Sequence, residues 1–397
     1  MGSRTELSVI VPTLNERGNI RSVVESLDAA LQGISWEVIF VDDFSSDGTP
    51  ETVRDIASVD RRVRLIERHN RRGLSSAVVE GALAASADII AVMDGDLQHD
   101  ETLLPRLYAA VASGEADLAS ASRFLRDNDA DGLSSESRKK LSQTGIRLSN
   151  SAFGLEMSDP LTGFFVVRRD VVVRALPRLS EVGFKILLDI ITAVEPRPRI
   201  VELPFSFRER AYGESKLSKR VLYDFFLFLI EKKIRPIIPL PAQFLSFSMI
   251  NAVGILVHIA AYTALTSSAV GFGQAQLFAT LIAMAFNYYV NNELTYSQNR
   301  LTGNAFYLGF VVFALVCSVG VIANVSVAVM MHERYGDMAE LLPVVFGALV
   351  SVVWNYGATR YFVWRNAAIR RASNPGLLKP SYTSATQSPG LRNEHRP

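Results

Sequence analysis

The run Ile89-Ile90-Ala91-Val92-Met93-Asp94-Gly95-Asp96-Leu97-Gln98-His99 ends an apolar stretch abruptly in two carboxylates one residue apart, with an amide just beyond them. Side chains two apart on an extended chain point the same way, so Asp94 and Asp96 can share one target. The carboxyl end of a buried strand is also where open α/β sheets bind ligands. Two carboxylates and an amide oxygen form a hard ligand set. Asp94, Asp96 and Gln98 are therefore expected to hold Mg²⁺ or Mn²⁺, with positions left for phosphate oxygens. The cargo such a site predicts is a nucleoside diphosphate compound. A polar strand end followed by an ordinary turn is the plain alternative.

Two further segments must position that site. Leu7-Ser8-Val9-Ile10-Val11-Pro12-Thr13-Leu14-Asn15-Glu16 reads as a buried strand closed by Pro, with polar residues opening a helix at about Asn19. Trp36-Glu37-Val38-Ile39-Phe40-Val41 reads as a second buried strand and runs into Asp42-Asp43-Phe44-Ser45-Ser46-Asp47-Gly48-Thr49. All three strands deliver acids or amides at their carboxyl ends. Helical stretches at about 19 to 32, 49 to 58 and 74 to 86 complete a β-α-β-α-β order, which predicts a parallel sheet with right-handed crossovers. No Gly-x-Gly-x-x-Gly follows the first strand, which argues against the dinucleotide-binding version of this architecture.

Taken together, Val11-Pro12-Thr13-x-Asn15-Glu16, Val41-Asp42-Asp43-x-Ser45-x-Asp47-Gly48-Thr49 and Asp94-x-Asp96-Leu97-Gln98-His99 resemble the family 2 glycosyltransferases of GT-A fold. Asp159-Pro160-Leu161-Thr162-Gly163-Phe164-Phe165, Gly183-Phe184-Lys185-Ile186-Leu187-Leu188 and Phe207-Arg208-x-Arg210-x-x-Gly213-x-Ser215-Lys216-Leu217 narrow the resemblance to dolichol- or polyprenol-phosphate mannose synthases. Leu14, Gly95 and Asp100-Glu101 stand where that family often has Tyr, Ala and prolines. The resemblance implies an α/β GT-A catalytic domain, Rossmann-like with a mostly parallel sheet. It implies inverting transfer of mannose from GDP-mannose to a polyprenyl, dolichyl-type monophosphate. It further implies donor contacts from Pro12, Leu14, Asn15, Glu16, Val41, Asp43, Asp94, Gly95, Asp96, Gln98 and Lys185, with Arg210 and Lys216 closing over the donor diphosphate.

The difficulty of such a reaction is charge, because a leaving diphosphate and an anionic acceptor must share one site. Guanidinium groups grip phosphate bidentately, so Arg123 in Ala121-Ser122-Arg123-Phe124 and Arg138 in Glu136-Ser137-Arg138-Lys139 are the candidates for the acceptor phosphate. With Asp94 and Asp96 they are the residues expected to carry the catalysis. Lys139, Lys140 and Arg147 read as a solvated helix face. A phosphate monoester has a second pKa of about 6 and arrives ionised, so no base is required. His99 accordingly reads as a packing residue.

The chain has 397 residues, a formal net charge of +1 and a single cysteine, Cys317. The charge balance gives no sign of a nucleic-acid partner, and one cysteine permits no internal disulfide. No signal peptide is expected, since the N-terminus runs directly into the first strand. After Pro241 the composition turns apolar, with stretches at about 243 to 267, 274 to 296, 305 to 331 and 340 to 364, each as long as the roughly 20 residues that a bilayer span needs. Four spans are expected, in an integral inner or plasma membrane protein. Lys232, Lys233 and Arg235, then Arg300, then Arg365, Arg370 and Arg371 fall on one side, against only Arg334 on the other. The positive-inside rule then places the catalytic domain and both termini in the cytoplasm.

Asn287-Tyr288-x-x-x-Asn292-x-x-x-Tyr296 is echoed by Asn355-Tyr356-x-x-x-Arg360-x-x-x-Trp364, as two hairpins of one topology would give. This region is similar to GtrA-type membrane domains. Glu293 and Arg360 are expected to pair, and His258 to be a packed, hydrogen-bonded side chain. The expected organisation is a GT-A domain at 1–216, interfacial amphipathic helices at 217–241, a GtrA-like four-span all-α domain at 242–366 and a disordered tail at 367–397. Residues 217–234 could instead form a core helix of the soluble half. Two other activities stand beside mannosyl transfer. One is glucosyl or other hexosyl transfer to undecaprenyl phosphate, and the other a lipid-phosphate-sugar transporter or scaffold with an inactive transferase domain. A processive polysaccharide synthase is disfavoured by the absence of Gln-x-x-Arg-Trp.

Overall fold

A computed structural model describes residues 4–69, 73–125, 136–180, 185–205, 219–268, 270–335 and 341–365. The chain divides into two compact units, Met1–Leu245 and Ser246–Pro397. The first begins with β1 (Leu7–Thr13), α1 (Ile20–Ala30), β2 (Trp36–Asp42), α2 (Thr49–Ala57), β3 (Val63–Glu67), α3 (Leu74–Ala84) and β4 (Ile89–Val92). It continues with α4 (Leu104–Ala112), β5 (Leu118–Ser122), α5 (Glu136–Phe153), β6 (Phe165–Arg168), α6 (Arg169–Ala175), α7 (Ile186–Ala193), β7 (Ile200–Pro204) and α8 (Lys219–Ile234).

The seven strands form one sheet in the order β3-β2-β1-β4-β6-β5-β7. Strand β6 runs antiparallel to β4 and β5, and every other pairing is parallel. The expected mostly parallel sheet is therefore present, and β3 extends it by an edge strand beyond those expected. Strand β3, Val63-Arg64-Leu65-Ile66-Glu67, is only partly buried along most of its length and carries charge at both faces, so it lacks the apolar run that marked β1, β2 and β4.

Strands β1 and β2 are nearly continuous apolar segments because both of their faces are covered. Ile10, Ile39, Val41, Ile90 and Val92 pack with α3, α6 and α7 on one face. Val9, Val11, Val38, Phe40 and Ala91 pack with α1 and α4 on the other. Helix α3 lies close on the sheet through small residues, and a Cβ added at Gly81 would stand 2.5 Å from Ile10 Cγ2. That helix could not approach so nearly with any larger residue there.

Helix α8 is packed on the first unit. Phe225, Phe228 and Leu229 join the core under α7, and Lys232 pairs with Asp189 of α7, both side chains being buried. Its opposite edge leaves Leu222 and Phe226 exposed, as Ile237 and Ile238 are beyond its end. The alternative reading of this segment as a core helix holds for its buried face.

The second unit is helical among its described residues, with all but the first turn of α9 (Ala242–Ser267), then α10 (Phe272–Val290), α11 (Asn304–Tyr335) and α12 (Leu341–Thr359). By length and composition two segments suffice to cross a bilayer, Ala242–Ser267 and Asn304–Ala323. Helices α10 and α12, of 19 residues each, do not meet that measure among the described residues. Gln274, Gln276 and the Asn287-Tyr288-Tyr289 run dilute the apolar surface of α10.

The sequence repeat corresponds to a repeated geometry. Helices α10 and α12 both end in a π-helical turn, Asn291–Thr295 and Arg360–Trp364. The residues closing the two motifs, Tyr296 and Trp364, stack on each other at 3.9 Å and 8°. Contacts cross reciprocally between the hairpins, Phe247 meeting Tyr356 at 5.7 Å and Tyr288 meeting Phe313 at 5.4 Å. Glu293, however, pairs with Arg300 at 2.9 Å, while Arg360 bonds the Tyr356 hydroxyl at 3.2 Å. The expected Glu293–Arg360 pair is thus not made, because each finds a nearer partner. His258 meets Thr280 Oγ1 at 3.4 Å.

Candidate functional site

Strands β2, β1 and β4 are adjacent and parallel, so their carboxyl ends open side by side. Among the described residues, the three non-glycine residues with positive φ, Asn15 (57°), Phe44 (62°) and Leu97 (61°), fall one in each of the loops that follow these strands. Backbone strain of this kind persists only where the surroundings fix it, and it gathers at functional sites. Here the first two loops hold each other. Asp42, fully buried, accepts from Thr13 Oγ1 at 3.2 Å and from Ser45 at 2.8 Å (N) and 2.5 Å (Oγ). The Asn15 amide donates to Ser45 Oγ at 2.8 Å, and Asn15 Oδ1 accepts from Ser46 N at 3.0 Å. Glu16 donates from its backbone to Thr49 Oγ1 at 3.0 Å and accepts from Asn19 Nδ2 at 2.7 Å.

Asp43 lies at the inner wall of these loops and is buried. Its Oδ1 pairs with Arg68, and its Oδ2 accepts from Gly73 N at 2.8 Å. Pro12 and Leu14 are half-buried. The Val41 side chain is fully buried beneath α3 and packs the core.

The third loop carries the paired carboxylates. Asp96 is buried and accepts from Gln98 N at 3.2 Å, while the Asp94 side chain is 39% exposed. The Asp94 amide donates to His99 Nδ1 at 3.2 Å. An acceptor at Nδ1 puts the imidazole proton on Nε2, which faces Asp94 Oδ2 at 3.7 Å. His99 itself is buried and stacked on Phe164, ring centroids 4.9 Å apart. It acts as a packing residue that braces the Asp94 loop. Against Asp94 lies Gly163, where a Cβ would stand 3.3 Å from Oδ2 and 3.4 Å from Oδ1.

A cationic cluster adjoins the carboxylates. Arg123 follows β5 and donates from Nε to Asp159 Oδ2 at 2.8 Å. Asp159 is fully buried, and Glu202 of β7 holds its segment by accepting from Ser158 N at 2.8 Å and Asp159 N at 3.1 Å. Lys185, which opens α7, completes the group. Desolvation of its ammonium, and then the charge of Arg123, push its pKa down to about 8 against the pull of Asp159 and Asp94. Lys185 is thus within electrostatic reach of Asp94, Arg123 and Asp159, the last a carboxylate that the sequence motifs alone give no role. Its signal in the sequence was the acid opening Asp159-Pro160-Leu161-Thr162-Gly163, but nothing local places that segment beside Asp94. Arg138 belongs to α5, and its side chain lies outside the described residues, as do Arg210 and Lys216. Lys140 and Arg147 are exposed on α5, as a solvated face requires.

Residues 8–174 match glycosyl transferase family 2, and residues 246–364 match the GtrA/DPMS transmembrane domain. The chain is 36% identical over 260 residues to the dolichol-phosphate mannosyltransferase of Pyrococcus furiosus, covering 64% of this chain and 70% of that one. The chain belongs to the dolichol-phosphate mannosyltransferase family. Its likeness to the dolichol-phosphate mannosyltransferase of Saccharomyces cerevisiae is 35% over 234 residues, covering 57% of this chain and 86% of the relative. To the polyprenol monophosphomannose synthase of Mycolicibacterium smegmatis it is 32% over 216 residues, covering 53% and 80%. Among solved structures, glucosyl-3-phosphoglycerate synthase of Mycobacterium tuberculosis aligns with a TM-score of 0.45 at 22% identity, covering 58% of this chain and 78% of that one.

This member of the dolichol-phosphate mannosyltransferase family is therefore a glycosyltransferase with a membrane-associated second unit. Its donor set fits a hard divalent cation. Among the described residues no group of three or more His, Cys, Asp or Glu could hold a metal ion, and the Asp94 and Asp96 carboxylates with the Gln98 amide are the oxygen donors that this loop offers. An ion held by so few groups keeps positions for water and phosphate, as Mg²⁺ and Mn²⁺ do at nucleotide sites. Gly163 leaves beside the Asp94 carboxylate the space that a side chain would fill.

Proposed function

We propose that the enzyme transfers mannose from GDP-mannose to a polyprenyl monophosphate, with inversion and with Mg²⁺ or Mn²⁺ as cofactor. The observation that supports this reading is that the Asp159–Gly163 segment touches Arg123 at one end and Asp94 at the other, with the charge of Lys185 felt by all three acidic and basic groups, so that metal ligands and phosphate-binding cations would lie close together. Asp94, Asp96 and Gln98 would hold the ion, which when bound supplies Lewis-acid charge to the leaving diphosphate. Asp43, Pro12, Leu14, Asn15 and Glu16 line the base and ribose end, and Arg210 and Lys216 close over the diphosphate.

On the acceptor side, Asp159 fixes the Arg123 guanidinium through Nε and so orients its fork toward the lipid phosphate, with Arg138 as its partner. Neutralising that phosphate lets a second anion approach the donor. The phosphate oxygen is already ionised near neutral pH, its second pKa being about 6, so the site positions the nucleophile and abstracts no proton. Attack on the anomeric carbon from the side opposite the diphosphate breaks that bond as the new one forms. The product is a β-linked mannosyl phosphate.

We further propose four membrane spans with the catalytic unit and both termini cytoplasmic. The support is the excess of Lys and Arg before α9, between α10 and α11 and after α12. The exposed Leu222, Phe226, Ile237 and Ile238 would rest on the same leaflet. The test is incubation of purified enzyme, polyprenyl phosphate and Mn²⁺ with single radiolabelled nucleotide sugars. Label entering the organic extract from GDP-mannose alone supports the assignment. Label from a glucose donor alone would make the enzyme a glucosyltransferase.

A further inference from the structure

Of the buried cations that the mechanism does not use, Lys232 pairs with Asp189 of α7, whereas Arg68 stands at the donor loops. Arg68, just after β3, is 3% exposed and makes no contact with Asp94, Asp96 or Arg123 among the interactions described. Its guanidinium is spent instead on a cluster around Asp43. Nη1 pairs with Asp43 Oδ1 and also donates to Gly73 O at 3.1 Å. Nη2 donates to Ser76 Oγ at 2.6 Å, and Nε lies 3.3 Å from Glu80 Oε2. The Arg68 backbone amide donates to Asp42 O at 2.9 Å.

Gly73 completes the arrangement from the other oxygen. It donates to Asp43 Oδ2 at 2.8 Å and has a φ of 139°, a conformation that other residues rarely adopt. Helix α3 starts at the next residue, so its amino-terminal partial charge adds to that of Arg68. Both Asp43 oxygens are thus held by donors, one on each. Each oxygen of a carboxylate has two lone pairs, so each retains capacity to accept once more.

We propose that Arg68 is a positioning residue for the donor. It holds the Asp43 carboxylate in one rotamer, so that this group meets the nucleobase as a hydrogen-bond acceptor. Such a carboxylate favours a base edge that presents adjacent N–H donors, as guanine does, and disfavours one that presents a ring acceptor. The inference rests on the reading of Asp43 as a base contact given above. Glu80 and Ser76 hold the guanidinium from the α3 side, which makes the register of α3 part of base recognition.

The test is a double-mutant cycle of Arg68→Gln and Asp43→Asn on the full-length enzyme, read by GDP binding calorimetry and by donor and acceptor kinetics. Arg68→Gln is expected to raise the donor KM and the GDP dissociation constant about tenfold. It should also narrow the preference for GDP over ADP. The acceptor KM should change less than twofold, and kcat at saturating donor should fall less than threefold. Introduced into Asp43→Asn, Arg68→Gln should add less than twofold to the donor KM, because both changes act at one contact. A merely structural arginine would instead move both substrates and add fully to Asp43→Asn. Unchanged GDP affinity and base preference in a folded Arg68→Gln enzyme would overturn the proposal. If Asp43→Asn itself left donor KM unchanged, the base-contact reading would fall first, so the two failures are distinguishable. Should Arg68→Gln not fold, Ser76→Ala decides. It removes one Arg68 partner without touching Asp43 and is expected to raise the donor KM two- to fivefold, and an unchanged value would refute the role.

Discussion

Substituting Gly163 by Ala perturbs the site through a single methyl group. An ideal Cβ at this position stands 3.3 Å from Asp94 Oδ2 and 3.4 Å from Oδ1, so the carboxylate must give way by a few tenths of an ångström. Gly163 has no positive φ, so the backbone accepts Ala without strain. The Asp94 side chain is 39% exposed and has room to move, which keeps the stability loss under about 1 kcal/mol. Catalysis is less tolerant, since a misplacement of about 1 Å can cost about a hundredfold. A shift of roughly a third to a half of that distance is expected to lower kcat/KM about tenfold, that is by about 1.4 kcal/mol. The metal concentration for half-maximal activity should rise by a similar factor. The assay is transfer of label from GDP-mannose across a Mn²⁺ titration, with a melting curve on the same preparation. Activity and metal half-saturation both within twofold of wild type would refute the placement of Asp94 at the metal.

Other substitutions read other parts of the account. Arg123→Lys keeps the charge but loses the fork that joins Asp159 to a phosphate, so the acceptor KM should rise about tenfold while the donor KM stays within twofold. An enzyme showing the opposite pattern would place Arg123 on the donor. Burial alone would raise the pKa of Glu37, yet hydrogen bonds from Ser8, Arg64 and Ser86 hold it below the ordinary 4.5. Glu37 therefore contributes stability above pH 4.5 that is lost as the pH falls through its folded value. The Glu37→Gln variant should lose less melting temperature on acidification over that window than wild type, and equal losses would remove Glu37 from the acid transition. In the second unit, a Cβ at Gly320 would lie 2.2 Å from Asn355 Oδ1, and one at Gly254 would lie 2.1 Å from Asn287 Oδ1. Gly320→Ala should destabilise that unit by about 1–3 kcal/mol, measured as melting in detergent, and an unchanged melting curve would contradict so close a contact.

The parts of this enzyme that were legible in the sequence are those whose signal is local. Strands β1, β2 and β4 announce themselves as apolar runs, and the acids at their ends follow because a parallel sheet sets those ends side by side. Strand β3 was not legible, since an edge strand with Arg64 and Glu67 in it has no such run. Missing β3 also hid Arg68, whose position is intelligible only as the residue that follows that strand beside Asp42 and Asp43. The antiparallel insertion of β6 between β4 and β5 was equally silent. It is this pairing that sets Gly163 against Asp94 and Asp159 against Arg123, contacts between segments too far apart in the chain for spacing to reveal. In the second unit the repeat was visible as matched Asn-Tyr motifs. The sequence could not show that Tyr296 and Trp364 stack, or that Glu293 turns to Arg300.

The carboxylate pair after β4 is proposed to anchor a divalent cation shared with the donor diphosphate. An anomalous-scattering map from crystals of the enzyme grown with Mn²⁺ and GDP tests it most directly. One strong peak is expected within coordination distance of the Asp96 carboxylate and the Gln98 amide oxygen, with Asp94 beside it and diphosphate oxygens completing the shell. The peak should vanish in Asp96→Ala crystals. GDP seated on Asp43 with no metal near Asp94 and Asp96, or a peak held by other residues, would contradict the account.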